Sequence, residues 1–308
     1  MTSESQSSDA VLMVRPVMFG FNPETAATNV FAAAVASGCS EAARAEFDLA
    51  AERLSNAGVE VVLLDDLPEP ARPDAAFPNN WVSFHADGTV VLYPMAAPTR
   101  RLERRGDDVI ELLGDRGFAV RQVIDLSGHE QSGRFLEGTG SMVLDRLGRR
   151  AYAAIGPRTH RAALGDFASR LDYSTVAFEA TDTKGRPIYH TNVLLSLGTA
   201  FAVLCPDTVP ARQRQHLVDS IDASGRTIIP VDYAQMRRFA CNIIEIRSAA
   251  GEPLIAMSSS ARSNFRADQL RLLESFGTIV EAAIPTIEAV GGGSLRCMVA
   301  DIHLPRVG

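Results

Sequence analysis

The chain has 308 residues, 46% of them hydrophobic and 22% charged, with a formal net charge of −7. That length can bury a sizeable core, and that balance is neither that of a disordered chain nor that of a membrane-spanning one. The excess of acid argues against nucleic acid as a partner, because binding phosphates needs a basic face.

Residues 1–10 are polar and serine-rich, with no basic start and no long apolar run, and are expected to form a disordered tail rather than a signal peptide. The protein is therefore expected in the cytoplasm. Residues 11–17 are apolar and β-branched, a strand that Pro16 brings to its end. A loop over 19–25 follows, holding Gly20 and Asn22, and is a candidate lid. Residues 41–57 carry apolar side chains at helical spacing, with Ser40 as N-cap and Gly58 as the stop. Residues 59–64 then read as a buried strand.

From there one pattern repeats: two short strands joined by a turn, then a helix, then a further strand. Residues 80–84 and 89–93 flank the hairpin turn Asp87-Gly88, before a helix over 100–113 and a strand over 119–124. The cluster Arg100-Arg101-Leu102-Glu103-Arg104-Arg105 is expected to be the solvated start of that helix. Strands over 141–144 and 150–155, a helix over 161–171 and a strand through Val176 make the next unit. Strands over 193–197 and 200–204, a helix over 211–221 and a strand over 227–229 make another. Strands over 241–246 and 254–257, a helix over 267–276 and a strand over 278–280 make the last. Helices thus recur roughly every 50 to 60 residues, a period that signals a propeller or another repeat array. A final strand over 295–304 would return to complete the first unit. A ring closed in this way exposes no sheet edges and brings its loops together at one end of a central channel.

The four cysteines, Cys39, Cys205, Cys241 and Cys297, are scattered along the chain, which fits reduced thiols. No CxxC or HExxH pattern occurs, and neither a metal nor a cofactor is expected. The stretch Gly291-Gly292-Gly293-Ser294-Leu295-Arg296-Cys297-Met298 stands apart. Consecutive glycines are costly in backbone entropy, so the chain there turns sharply or lets another group close to its backbone. Cys297 is therefore a candidate nucleophile, although the stretch taken alone also reads as a turn leading into a strand with a small buried cysteine. Three polar stretches stand where strands begin: Phe77-Pro78-Asn79-Asn80-Trp81, Phe135-Leu136-Glu137-Gly138-Thr139-Gly140-Ser141 and Tyr189-His190-Thr191-Asn192-Val193. Taken singly they are turn chemistry, a loop acid and a structural imidazole. Glu137, set between apolar residues and glycines, needs a partner if it is buried.

In this order, with Gly156-Pro157-Arg158-Thr159 among them, these stretches resemble the guanidino-group-modifying superfamily of amidinotransferases and arginine deiminases. Within it the chain most resembles the citrulline utilisation hydrolases, over almost its whole length after the tail. The resemblance implies a five-bladed, pseudo-fivefold α/β propeller of ββαβ units, forming a single catalytic domain over 11–308. It implies Cys297 as nucleophile toward the central carbon of a guanidino or ureido group. His190 would give a proton to the departing amine and then activate water, with Glu137 orienting the imidazole. A free thiol, with a pKa of about 8.5, is mostly protonated at neutral pH, so an adjacent imidazolium or a cationic substrate would favour the thiolate. Arg158 matches the arginine that holds the substrate α-carboxylate, a task that suits a bidentate fork. Phe77, Asn79, Asn80, Asn192 and Asn22 complete the expected substrate-binding set.

Where deiminases carry two carboxylates that clamp a guanidinium, this chain has Asn80 and Asn192. An amide offers a donor and an acceptor without charge, which matches a neutral ureido group. The favoured reaction is citrulline plus water to ornithine, carbon dioxide and ammonia. Arginine deimination or dihydrolysis, dimethylarginine hydrolysis, amidino transfer to an amine, and ligand binding by a propeller without chemistry stay open as alternatives. The expected partner is a small ureido or guanidino amino acid, with no nucleic acid and no membrane, and a homo-oligomer is compatible with the sequence.

Overall fold

The computed structural model describes residues 4–34 and 38–307, so residues 1–3 of the expected tail and residue 308 of the expected domain lie outside the described residues. The chain folds into five mixed α/β units, each with one three-stranded sheet. In the second sheet Val82–Phe84 pairs antiparallel with Thr89–Leu92, and the helix Gly106–Asp115 carries the chain to Gln122–Asp125, which pairs parallel. A parallel pair cannot be joined by a tight turn, which is why each unit needs a helix before its last strand. The third sheet orders Val143–Asp145, Arg150–Ala154 and Ser174–Phe178 around the helix Arg161–Leu171. The fourth orders Leu195–Leu197, Phe201–Leu204 and Thr227–Pro230 around Ala211–Asp222, and the fifth orders Ile244–Arg247, Pro253–Ser258 and Thr278–Ala282 around Ala267–Glu274.

The first sheet is assembled from both ends of the chain. Ala300–Ile302 pairs antiparallel with Ala10–Arg15, which pairs parallel with Glu60–Asp65 after the helix Cys39–Asn56. That helix buries Ala43, Phe47, Ala50, Ala51 and Leu54, a stripe at the spacing that keeps one face toward a sheet. The leading strands of four sheets contribute Leu144, Ser196, Glu245 and Asp301 to one shared cavity. Among the described residues no helix is long and apolar enough to cross a membrane.

Four expectations from sequence are corrected. The tail is packed from Glu4 onward: Gln6, Ser7 and Ser8 are buried, and Gln6 donates to Leu144 O at 2.9 Å and accepts from Arg146 N at 2.9 Å. Its polar residues are buried because they satisfy backbone groups and arginines inside the molecule. The helix expected over 100–113 is two, Pro98–Arg101 and Gly106–Asp115, and its start is not solvated. Arg100 and Glu103 are 2% and 3% exposed because they pair with each other and turn inward, leaving Gly106 to start a new helix against Leu92. The strand expected over 295–304 is a 3-10 turn, Leu295–Met298, followed by the short strand Ala300–Ile302. The loop over 19–25 contains a helical turn, Pro23–Ala26, which Asn22 caps.

Closure of the first sheet rests partly on Arg146, which bonds Asp301 of the C-terminal strand at 2.9 Å and Glu4 at 3.2 Å. Removing one member of a buried ion pair leaves the others uncompensated and costs about 3–5 kcal/mol. Arg146→Met should lower the unfolding free energy by that amount, read as a lower urea midpoint at an unchanged m-value.

Candidate active site

Cys297 lies on the turn Leu295–Met298, directly after the helix Pro285–Gly291. The glycines between have a steric task. A Cβ at Gly291 or Gly293 would come within 2.7 or 2.9 Å of the Phe77 ring, and Gly292 takes a φ of +64°. The outer edge of the Phe77 ring can therefore come close to the backbone that carries the cysteine. The glycines after Glu137 work alike: a Cβ at Gly138 would sit 2.2 Å from Asn79 O, and one at Gly140 would sit 2.4 Å from Asn80 Nδ2 and 2.8 Å from His190 Nδ1. Three loops from different sheets thus meet at distances only glycine allows.

Glu137 is fully buried, and the surrounding groups answer the need for a partner. His190 Nε2 stands 2.7 Å from Oε2, Arg158 Nη1 3.3 Å and Arg100 Nη1 4.0 Å, while Ala96 N donates to Oε1 at 3.0 Å. Burial opposes the charged form, but Arg158, the hydrogen bond from His190 and the charge of Arg100 hold the carboxyl well below the usual carboxylate range. An ionised carboxylate only accepts, so Nε2 carries the imidazole proton and Nδ1 is left as an acceptor. For His190 burial dominates over Glu137, and the imidazole falls from its ordinary 6.5 to about 4.

A small, partly open cavity lies beside these groups. Cys297, His190, Phe77, Asn80 and Arg158 all line it, so five expected residues are brought together. Glu137 lies directly behind His190. Asn192 stands on the other side of the sulfur, its Nδ2 3.5 Å from Cys297 Sγ. Asn79 is buried with neither side-chain atom bonded, and it does not line the cavity. Asn22 is outside it too: its amide donates to Asp74 at 2.8 Å and Thr99 at 3.0 Å, and its oxygen caps a helical turn. Burial pushes Cys205 up to about 12 and Cys241 well above the ordinary thiol value, which leaves both inert.

Three residues of the site were not found from sequence. Arg100 lines the cavity and donates to Asn80 Oδ1 at 2.7 Å, to Phe77 O at 3.2 Å and to Glu103 at 2.8 Å. Asp74 lines it as well, accepting from Asn22 and from Thr25 Oγ1 at 3.3 Å. Asn242 places Nδ2 3.3 Å from Cys297 Sγ. Its signal is positional: Asn242 stands before Ile244–Arg247 as Asn80 stands before Val82–Phe84, the same place in two units. Among the described residues no group of three or more His, Cys, Asp and Glu side chains is placed to hold a metal ion.

The buried imidazole makes stability depend on pH. Its folded-state pKa lies below the unfolded value, so between pH 6.5 and about 4 the unfolded chain binds a proton that the folded chain does not. Stability is full above that window and falls as pH drops through it, by about 3 kcal/mol at 1.36 kcal/mol per unit. Glu137, held low, adds to the loss at more acid pH. His190→Gln should flatten the dependence of the urea midpoint on pH across this window.

Residues 15–304 match the family model described as N,N dimethylarginine dimethylhydrolase, eukaryotic. None of the curated proteins matches. Among solved structures, the N-terminal domain of ArgZ covalently bound to a reaction intermediate superposes with a TM-score of 0.72 at 20% identity, covering 97% of each chain. ArgZ is described as an arginine dihydrolase from the ornithine-ammonia cycle in cyanobacteria. Unliganded AgrE gives 0.72 at 18% identity, over 97% of this chain and 39% of that one. A dimethylarginine dimethylaminohydrolase variant in adduct with S-methyl-L-thiocitrulline gives 0.63 at 15% identity, over 94% and 98%. At these identities the likeness is one of fold.

Proposed function

This chain belongs to the N,N dimethylarginine dimethylhydrolase family, and from that premise we propose that it hydrolyses a ureido amino acid, taking citrulline and water to ornithine, carbon dioxide and ammonia. It is a hydrolase of carbon–nitrogen bonds other than peptide bonds. The five sheets are read as the blades of a propeller, a reading supported by the shared cavity between leading strands and by the C-terminal strand completing the first sheet.

The observation that carries the choice of substrate is the state of Asn80. Arg100 occupies its oxygen at 2.7 Å, so Asn80 has only its unpartnered N–H groups to offer the cavity. A ureido oxygen accepts such a bond, whereas a guanidinium is all donors and would face donor against donor. The opposite charges for an amino-acid head are also present. Arg158 suits an α-carboxylate, and Asp74 suits an α-ammonium.

In the proposed mechanism Cys297 Sγ attacks the ureido carbon, and His190 Nδ1 takes the thiol proton and gives it to the departing nitrogen. One carbon–nitrogen bond breaks and the carbon stays on sulfur as a thiocarbamate. His190 then takes a proton from water, whose oxygen displaces the sulfur, and passes that proton to the departing thiolate, which restores the thiol and the neutral imidazole. The resulting carbamic acid falls to an amine and carbon dioxide, which accounts for every atom of citrulline and water. Glu137 stabilises the imidazolium that forms between the two transfers.

A second reading, two successive hydrolyses that begin from arginine, is favoured by Asn192 Oδ1, a buried acceptor without a partner that could take a guanidinium N–H. The fold likeness to ArgZ supports it as well. Incubation with citrulline alone and with arginine alone, followed for ornithine and ammonia, separates the readings. Citrulline should give one ammonia per ornithine at a kcat/KM well above that for arginine. Arginine giving two ammonias per ornithine at an equal kcat/KM would replace the first reading by the second. Release of dimethylamine from N,N-dimethylarginine as the fastest reaction would displace both.

Cys297→Ala should cut turnover roughly a thousandfold or more while the melting temperature holds, since it removes the nucleophile and one atom of volume. Asn80→Asp replaces a donor with an acceptor beside the reacting group. The contact at stake is worth about 1.5–3 kcal/mol, so the citrulline-to-arginine ratio of kcat/KM should fall by about tenfold or more. An unchanged ratio would show that Asn80 does not face the reacting group.

A further inference from the structure

We infer that Asn242 is a further catalytic residue of this site, its amide acting with that of Asn192 to aim Cys297 Sγ at the cavity and to stabilise the negative charge that gathers on the sulfur. The inference rests on the reading of Cys297 as the nucleophile. Asn242 is 1% exposed and stands two residues before Ile244–Arg247, the leading strand of the fifth sheet. Its Nδ2 lies 3.3 Å from Sγ and also donates to Asn192 O at 3.2 Å. A carbonyl oxygen only accepts, so this second bond fixes the amide with Nδ2 nearer the sulfur, while the neutral thiol can donate to Asn242 Oδ1 at 3.6 Å, a bond that ends when the thiol loses its proton. Asn192 Nδ2 adds a contact at 3.5 Å.

The imidazole and the cations of the site are engaged elsewhere. His190 Nε2 is on Glu137, Arg100 is on Glu103, Asn80 and Phe77 O, and Arg158 is on Thr25 O, Thr28 and Glu137. Among the described residues, the side-chain N–H donors within bonding distance of Sγ are the two amides. Donors of this kind bind an anion more strongly than a neutral acceptor, so they favour the sulfur as it becomes a nucleophile and as it leaves. The amides thus take the part that an imidazolium was expected to play.

The probe is iodoacetamide, whose carbon is attacked by the sulfur with loss of iodide, read by mass spectrometry at Cys297 with Cys297→Ala as control. Asn242→Leu keeps the volume and removes the donor, while Asn242→Asp keeps the shape and sets a negative charge against the sulfur. Alkylation at neutral pH should fall about tenfold in Asn242→Leu and further in Asn242→Asp, and both should recover toward the wild-type rate at alkaline pH. The kcat/KM for citrulline should fall by about ten- to a hundredfold alongside. Wild-type alkylation rates at every pH in a folded Asn242→Asp protein would overturn the inference, even if Asn242→Leu fails to fold. The alkylation rates judge the amides without any substrate, so a wild type that alkylates normally but leaves citrulline untouched would sink the proposed substrate alone.

Discussion

The buried carboxylate of Glu137 is the constraint from which the rest of the site follows. An unpaired charge in that position would cost several kcal/mol even after relaxation, and the fold meets it with a backbone N–H, an imidazole and two guanidinium groups drawn from three sheets. Ala96, His190 and Arg158 are each oriented by the bond given to Glu137. His190 is turned so that Nδ1 remains available, and Arg158 is held at the cavity wall over the Tyr189 ring at 4.9 Å. Arg158 in turn bonds Thr25 O at 2.7 Å and Thr28 Oγ1 at 2.8 Å, which pulls the segment between the first strand and first long helix over the cavity. One carboxylate therefore sets the tautomer of a base, the placement of a cation and the position of the covering segment.

The repeating unit was legible because it is written in local chemistry. Asp87-Gly88 stands at a hairpin where Gly88 takes a φ of +91°, and the helices carry stripes at their own period. The return of the C-terminal strand was legible as well, since a unit lacking its leading strand needs one from elsewhere. What local pattern could not give was the fate of polar residues that other parts of the chain bury. Gln6 and Arg100 look like surface residues in sequence, and only contacts across the molecule, with Leu144 and Arg226 for one and Asn80 and Glu103 for the other, make burial tolerable. The helix Pro285–Gly291 escaped notice for a related reason: its run into consecutive glycines reads as a loop, yet Gly292 serves as its left-handed cap.

The candidate site was legible to the extent that its residues sit in compact motifs. Glu137 with its glycines, His190 with Asn192, and Cys297 behind its glycines announce themselves by unusual local composition. Asp74 and Asn242 sit in ordinary surroundings and become recognisable only once the fold brings them to the sulfur or the cavity. Asn22 and Asn79 show the converse. Each belongs to a suggestive stretch, but one spends its amide on a helix cap and on Asp74, and the other lies behind the strand entrance rather than at the cavity.

Repetition explains why amides and not acids surround the sulfur. The entrances to the leading strands of four sheets deliver side chains toward the sulfur or its cavity, Asn80 and Asn242 from two residues before the strand and Asn192 and Cys297 from three. An acid at any of these places would be a buried charge needing its own cation, as Glu137 does, and the nearby guanidinium groups are already matched with Glu103 and Glu137. Amides fill the position at lower cost and still impose direction, because each has one donating and one accepting end. On the proposed reading, charge selects the amino-acid head through Asp74 and Arg158. The reacting end is selected by hydrogen-bond polarity alone, and that polarity is set by which atom of Asn80 the buried Arg100 has taken.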